Sequence, residues 1–524
     1  MKEKKKSLKS KALPCSLLAF QVISSILFYA FRLQWIFTDQ TLGIRSFSFI
    51  LLWVMISNAL LLALLSALRV YECEKICSKK IYSILLVISA VLTSVSFIYS
   101  SISAVAMVIN ESKEGYLLYL KELLVPAFFF IAIPFMAIFF HKLPCKAKRA
   151  FSAITVTVTL LIALTYIVPL TPYKITSTPM VIDNGDGYSV VFSTNDNGSG
   201  YIEYAYEGES YKVYDSIGGK KRTDTMIHSV SVPYEHLKNN SYKVGSVRVI
   251  ESYSYGSRLG KEVISDSYTL KVNDSENQQW LVISDWHTML DTACAAIDYL
   301  GEYDSVILLG DATPGVDFEQ QVVTNILEFG GEVSEGTRPV LFARGNHETR
   351  GDYAGELSSA LGLDKFYYTS DIGPYSFLIL DSGEDKDDSH PEYGDTTDYN
   401  TYRADMTQWL SDVEFENDRI ITLCHAWSIS EVEQELSDKA WQELDRIGTR
   451  LMISGHYHQC RLLGEGSERE AEIFSRYPHI AGYLDGGKSG KDYIATKMTL
   501  SDKGIDMISV DNHGNTILEA SFQW

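Results

Sequence analysis

Five short polar clusters carry residue types that hold hard metal ions, and each follows an apolar run. Leu281-Val282-Ile283-Ser284 leads into Asp285-Trp286-His287, and Val306-Ile307-Leu308-Leu309 into Gly310-Asp311. Val340-Leu341-Phe342-Ala343 leads to Arg344-Gly345-Asn346-His347-Glu348. Ile420-Ile421-Thr422-Leu423-Cys424 ends at His425, and Leu451-Met452-Ile453-Ser454 at Gly455-His456-Tyr457-His458. Asp285 and His287 lie two apart, as do His456 and His458; on extended backbone such residues point the same way and can share a metal. A mixed imidazole and carboxylate set suits Zn, Mn or Fe rather than Ca or Mg. Gly310, Gly345 and Gly455 are expected to let backbone approach the ions closely. Two ions about 3.5–4 Å apart activate a water and neutralise a transferring phosphoryl group. One such cluster is a common accident of sequence. Five at the ends of apolar runs, in this order, are not.

These clusters need strands that end together. From Trp280 onward, apolar strands run into polar, Gly-rich loops, several followed by helical stretches. That is an α/β organisation, whose sites form at the carboxyl ends of strands. The preceding stretch differs: Tyr188–Thr194, Gly200–Tyr206, Ser210–Tyr214, Ile227–Val232 and Tyr242–Ile250 alternate apolar and polar residues between turn clusters such as Asn184-Gly185-Asp186-Gly187. Short strands at this spacing predict an all-β sandwich, read as a spacer or binding module.

The first third is different again. Leu17–Phe37, Phe47–Leu68, Ile81–Val108, Leu123–Phe140 and Phe151–Leu170 are apolar, each near the ~17–25 residues that cross a bilayer. Arg32 is the charge inside them, placed where it can snorkel to the interface. A cleaved signal peptide fits poorly, because the first stretch is long, lacks a small-residue cleavage site and is followed by four more. The Lys-rich N-terminal tail and the loops with Arg69, Lys75, Lys79 and Lys80, and with Lys142, Lys146, Lys148 and Arg149, alternate with loops holding only Arg45, Lys113 and Lys121. Basic loops stay cytoplasmic, so five spans starting inside place everything after Leu170 outside the cytoplasm. The expected domains are therefore a membrane region of five transmembrane helices at 1–171, a β-sandwich at 172–275 and the metal-binding α/β domain at 276–524.

Charge divides the same way. Of 46 Lys+Arg and 66 Asp+Glu, residues 1–170 hold 18 and 7, leaving 28 and 59 for the rest, a net of +11 against −31. A surface that acidic excludes binding to the nucleic-acid backbone, which needs basic residues. Seven cysteines are scattered. Cys294, Cys424 and Cys460 follow apolar runs and read as buried free thiols; Cys73-x-x-x-Cys77 has no second pair to make a zinc site.

Asp285-x-His287, Gly310-Asp311, Gly345-Asn346-His347-Glu348, His425 and Gly455-His456-x-His458 resemble the five signature motifs of the calcineurin-like metallophosphoesterase superfamily, over about residues 278–524. The resemblance implies a four-layer αββα sandwich with a dinuclear centre of divalent transition metals. Carried over motif by motif, Asp285, His287 and His458 would hold one metal, Asp311 would bridge, and Asn346, His425 and His456 would hold the second. His347 would contact the phosphate and protonate the leaving group. The run Gly345–Gly351, with Phe366-Tyr367-Tyr368 and Leu380-Asp381-Ser382, is similar to purple acid phosphatases and their bacterial relatives, which carry a fibronectin-like sandwich in front. Those enzymes have an iron-ligating Tyr three residues after the bridging Asp and no match for His287. Here Pro314 takes the tyrosine's place, so two similar divalent ions are expected rather than an iron–tyrosinate centre.

Around these motifs, Arg344 and Arg350 read as a substrate grip or as ion pairs. Glu384–Asp388 reads as a solvated loop with the makings of a lid, and Trp286 and Tyr457 as core. The functional expectation is a membrane-anchored, extracytoplasmic phosphoesterase in which a metal-bound hydroxide attacks phosphorus in line, with phosphomonoesters favoured. Two alternatives stand: a phosphodiesterase on nucleotides, glycerophosphodiesters or wall polymers, and a membrane receptor or transporter subunit with a non-catalytic module. The complete ligand set argues against the last.

Overall fold

The computed structural model describes residues 172–524 apart from 254–255, 427–433, 464–479 and 485. The five expected membrane spans lie outside the described residues, and among the described ones no helix is long and apolar enough to cross a membrane.

The first strands are β1 (Met180–Asp183), β2 (Tyr188–Tyr206), β3 (Thr225–Val232), β4 (Ser241–Tyr253) and β5 (Gly256–Ile264). Then come β6 (Gln278–Ile283), β7 (Ser305–Leu308), β8 (Pro339–Phe342), β9 (Tyr368–Ile372), β10 (Tyr375–Leu380), β11 (Ile420–Cys424) and β12 (Thr449–Ser454). The last are β13 (Ala481–Leu484), β14 (Asp492–Ser501), β15 (Gly504–Asp511) and β16 (Thr516–Gln523). One mixed sheet runs β16-β15-β14-β6-β7-β8-β1-β2-β4-β5, and a second runs β9-β10-β11-β12-β13. In the first, β6, β7, β8 and β1 are mutually parallel; in the second, β10 to β13 are. Parallel strands covered on both faces must be apolar throughout, and β7 and β8 are buried at every position.

The period of two in a strand sorts side chains between layers. Phe377, Ile379, Ile421, Leu423, Leu451 and Ile453 join Trp280–Ile283 of the first sheet in one core, where the Trp280 and Phe377 rings lie 4.5 Å apart. Leu378, Leu380, Cys424 and Met452 face the other way, against Met406, Leu410, Trp441 and Leu444 of the helices Tyr399–Leu410 and Gln434–Ile447. Each buried side chain of this kind contributes roughly 1.5–3 kcal/mol. Helices Leu290–Ile297 and Glu328–Ser334 pack on the first sheet. The product is an α/β sandwich with two mixed sheets.

The strands expected to stand apart as a sandwich share the first sheet. β1 pairs in parallel with β8 (Val181↔Pro339, Ile182↔Val340). The long β2 pairs along its first half with β1 and β3 and along its second with β4. The Glu319 carboxylate adds a tie, accepting from the N–H groups of Met226 (2.5 Å) and Ile227 (2.9 Å). Residues 173–524 form a single compact unit. Local alternation reports strands but not which distant edge they join.

β1 ends in a buried acid. Asp183 is 1% exposed and accepts hydrogen bonds from Tyr234 Oη and from Gly185 N at 3.1 Å. Burial nevertheless pushes its carboxyl up from 3.8 to about 6. A raised carboxyl favours the protonated folded state, so its stability contribution is full below the unfolded value and is lost as pH rises through the folded one. At about pH 8 that loss is on the order of 1–3 kcal/mol. Asp183→Asn keeps an acceptor for both donors and removes the charge. Its urea midpoint should exceed the parent's at about pH 8, with the gain gone near pH 4; equal midpoints at the higher pH would mean that the charge is not buried.

Candidate metal centre

Every cluster begins where a strand stops. β6 ends at Ile283 and β12 at Ser454, so the Asp-x-His and His-x-His pairs lie in turns, not on the extended backbone that their spacing suggested. Asp285, His287, Asp311, His456 and His458 have φ of +52°, +36°, +57°, +75° and +52°. The left-handed region is sparsely used by non-glycine residues, though Asp and His enter it more readily than most. Such strain costs on the order of 1–3 kcal/mol per residue and gathers at functional sites. Neighbouring loops hold the turns: Asp285 N donates to Gly310 O and His287 N to Asp311 O (both 3.0 Å), and His456 N donates to Asp285 Oδ2 (2.9 Å).

The glycines serve the same purpose. A Cβ on Gly310 would lie 2.2 Å from Gly345 N, and one on Gly455 would lie 1.8 Å from Ser284 Oγ. They let loop pack on loop, which the sequence reading had assigned to contact between backbone and ion.

The eight side chains singled out by sequence converge. His458 Nε2 is 3.2 Å from Asp285 Oδ1 and 3.1 Å from His287 Nε2. Asp311 Oδ2 is 3.2 Å from His425 Nε2 and 3.8 Å from both His287 Nε2 and His347 Nε2. Asn346 Oδ1 is 3.0 Å from His456 Nδ1. Three groups of ligand atoms lie within 4.8 Å of one another: Asp285–His287–His458, His287–Asp311–His347 and Asp311–His425–His456. Asp285 Oδ1 and His425 Nε2 are buried and make no well-aligned hydrogen bond, their nearest polar neighbours being other members of the cluster. Buried polar atoms are rarely left so. A cation among them satisfies both, and a mixed imidazole, carboxylate and amide set is what a divalent transition metal takes. The residues fit a metal centre.

Electrostatics agree. Burial alone would lower His425, but Asp311 and Asp285 outweigh it and carry the imidazole up to about 10; the same field favours a cation at Nε2. Its Nδ1 donates to Leu309 O, so Nε2 is the nitrogen that would give up its proton and offer a lone pair to a metal. Burial takes His287 down to about 4.

Residues 280–460, a span that contains all five clusters, match the model of the family described as calcineurin-like phosphoesterase. The chain carries a calcineurin-like phosphoesterase domain. It is a metal-dependent phosphoesterase. No curated protein matches it. Among solved structures it is similar to the purple acid phosphatase PPD1 of yellow lupin seeds, at 14% identity over 68% of this chain and 75% of that one, with a TM-score of 0.44. It is also similar to PhoD, at 10% identity over 67% and 92%, with a TM-score of 0.44. GAP50 of Plasmodium, an inner-membrane-complex anchor, follows at 15% over 48% and 89%, with a TM-score of 0.35.

Several residues around the phosphoesterase centre depart from their sequence reading. Tyr457 is 44% exposed rather than core, because alternation fails once the chain has left the strand; Trp286 is fully buried and donates to Asn325 O (2.8 Å). Arg344 pairs with Asp381 (2.7 Å) and Arg350 with Glu384 (2.5 and 2.8 Å), so both are ion pairs. Glu384 is 1% exposed, which removes the solvated-loop reading for the start of its run. Cys424 is buried, while Cys294 and Cys460 are only half-buried; all three are thiols rather than disulfides.

Sequence reasoning gave Glu348 no role. It is fully buried and accepts from the N–H groups of Gly345 (2.8 Å), Asp311 (2.8 Å) and Ala312 (2.6 Å), pinning the Asp311 loop to the Asn346 loop. Burial, then the charge of Asp311, push its carboxyl up to about 7. The available signal was an acid adjoining Asn346-His347.

Proposed function

We propose that this chain is a phosphomonoesterase anchored in a membrane by its first third, with its catalytic domain on the extracytoplasmic side. The observation that carries the catalytic part is Asp311, the carboxylate that belongs to two of the three groups able to hold a metal, which supports reading it as the bridge between two ions. Asp285, His287 and His458 would hold one divalent ion and Asn346, His425 and His456 the other, with Mn, Fe or Zn suited to these donors. Two such ions supply an activated water and charge neutralisation at the transferring phosphoryl group.

The chain's own groups do the rest. Glu348 and the left-handed turns fix the ligands before substrate arrives, so little reorganisation is needed at the moment of reaction. His347 holds Nδ1 against Pro314 O at 3.0 Å; a carbonyl only accepts, so Nδ1 donates and Nε2 faces the centre. From there, with both ring nitrogens carrying a proton, it would pass the Nε2 proton to the leaving oxygen. Pro314 offers no phenolate, which supports two similar divalent ions over an iron–tyrosinate pair.

Purified protein loaded with Mn, Zn or Fe, assayed on aryl and alkyl phosphomonoesters beside bis-aryl and glycerol phosphodiesters, tests the reaction. Faster turnover of monoesters is expected. Preference for diesters would move the assignment to a phosphodiesterase, and no turnover of either by metal-loaded protein would overturn it.

The anchoring rests on the alternation of basic loops in the sequence. A reporter active only outside the cytoplasm should be active when fused after Trp524 and silent when placed at Lys75–Lys80; the opposite pattern would remove the extracytoplasmic assignment.

A further inference from the structure

We infer that Asp385 is a positioning residue of the metal centre, acting through the ring of His456; this rests on the two-metal reading above. His456 Nδ1 lies 3.0 Å from Asn346 Oδ1; if these two hold the same ion, as that reading has it, Nδ1 is the nitrogen that would face it. The ring's other nitrogen, Nε2, faces Asp385 Oδ2 at 3.8 Å. That is beyond a direct hydrogen bond but close enough for charge, or for one bridging water. A carboxylate behind a ligating imidazole orients the ring and raises its basicity.

The chain is built to place this carboxylate. Asp385 Oδ1 is 2.9 Å from Lys386 Nζ and 4.0 Å from an Arg350 amino group. Arg350 is itself held twice by Glu384. The backbone on either side of Asp385 is clamped by the buried Arg403, which donates to Ser382 O (2.8 Å), Glu384 O (2.5 Å) and Lys386 O (3.5 Å). Asp388 in turn accepts from Tyr399 N and Asn400 N (both 2.9 Å) at the start of the helix Tyr399–Leu410. Two arginines and a helix start thus order a run whose composition alone would leave it to solvent. Asp385 is the member of that run that reaches a ligand, and its side chain is 23% exposed against 20% for His456, so water screens the pair only in part.

The test is metal affinity of the full chain, measured by competition with a chelator, for the parent, Asp385→Asn, Asp385→Glu and Asp387→Asn. Asp387 is the exposed acid two residues on. Asp385→Asn should weaken one of two bound Mn or Zn ions by roughly 10–100-fold, with Asp385→Glu restoring part of the loss and Asp387→Asn leaving it unchanged. The unfolding midpoint of metal-free protein should stay at the parent value. Equal weakening by Asp385→Asn and Asp387→Asn would reduce the effect to bulk negative charge and overturn the inference. So would a matching fall in the metal-free midpoint, which is a purely structural role, or complete loss of one ion, which would make Asp385 a ligand. A parent that binds no metal would instead refute the two-metal reading itself.

Discussion

Asp311→Asn should lose metal and activity together. The substitution keeps the shape of the side chain and one oxygen that can accept the 2.9 Å hydrogen bond from His347 N, so the loop that Glu348 pins has no reason to unfold. It removes a charge that nothing else in the centre can replace. Burial would raise the Asp311 carboxyl, but the adjoining His425 and His347 more than cancel it and hold the group well below the usual carboxylate range; this carboxylate is built to stay ionised. Its Oδ2 lies within 3.8 Å of three imidazoles, and as the bridge it would separate two dications. Removing one partner of a buried charge pair costs about 3–5 kcal/mol, which is roughly 10²–10⁴-fold in affinity. Elemental analysis should therefore find the variant depleted of metal after dialysis, with hydrolysis lost in proportion. Full metal content with no activity would place Asp311 outside the ligand set and give it a role in proton transfer.

Which side chains converge was legible along the chain, and their backbone was not. Four-residue apolar runs such as Val306–Leu309 are buried at each position of β7 because parallel strands are covered on both faces, and that pattern is local. So is the change from apolar to polar at each strand end, which put Asp285, Asp311, Asn346, His425 and His456 at the same edge of the fold. The left-handed turns at Asp285 and His456 depend instead on bonds between loops some 170 residues apart in sequence, such as His456 N to Asp285 Oδ2. Non-local causes also hide behind the other departures. Glu384–Asp388 has the composition of a solvated loop, and it is the buried Arg403, the partly buried Arg350 and the start of the helix Tyr399–Leu410, all outside the run, that order it. The strands at 180–264 show their alternation plainly, but the pairing of Val181 with Pro339 that joins them to the catalytic sheet spans a separation no local pattern records. Glu348 has the same explanation: its three donors come from two loops, and neither loop's sequence reveals the other.

His347→Ala should keep both metals and lose activity selectively. The ring is the most solvent-accessible of those around Asp311, at 28%, against 10% for His287 and 1% for His425, and it is oriented from outside the ligand set by Pro314 O. Both features suit a group that meets substrate. General acid catalysis is typically worth about 10²–10⁴-fold, and it matters in proportion to how badly the departing oxygen needs a proton. An alkyl phosphate, with a poor leaving group, should therefore be hydrolysed roughly 10²–10⁴-fold more slowly by His347→Ala, while an aryl phosphate with an acidic phenol should be affected far less. The rival role is concrete, because the ligand atoms of His287, Asp311 and His347 also lie within 4.8 Å of one another. If His347 is a ligand, the variant loses metal and both substrates suffer alike. If it only holds the phosphate, metal is retained but the two losses are equal, since a phosphoryl oxygen is the same whatever leaves. Metal content together with the ratio of the two losses thus separates acid, ligand and anchor, and the orientation of the ring, Nδ1 tied back and Nε2 forward, favours the acid.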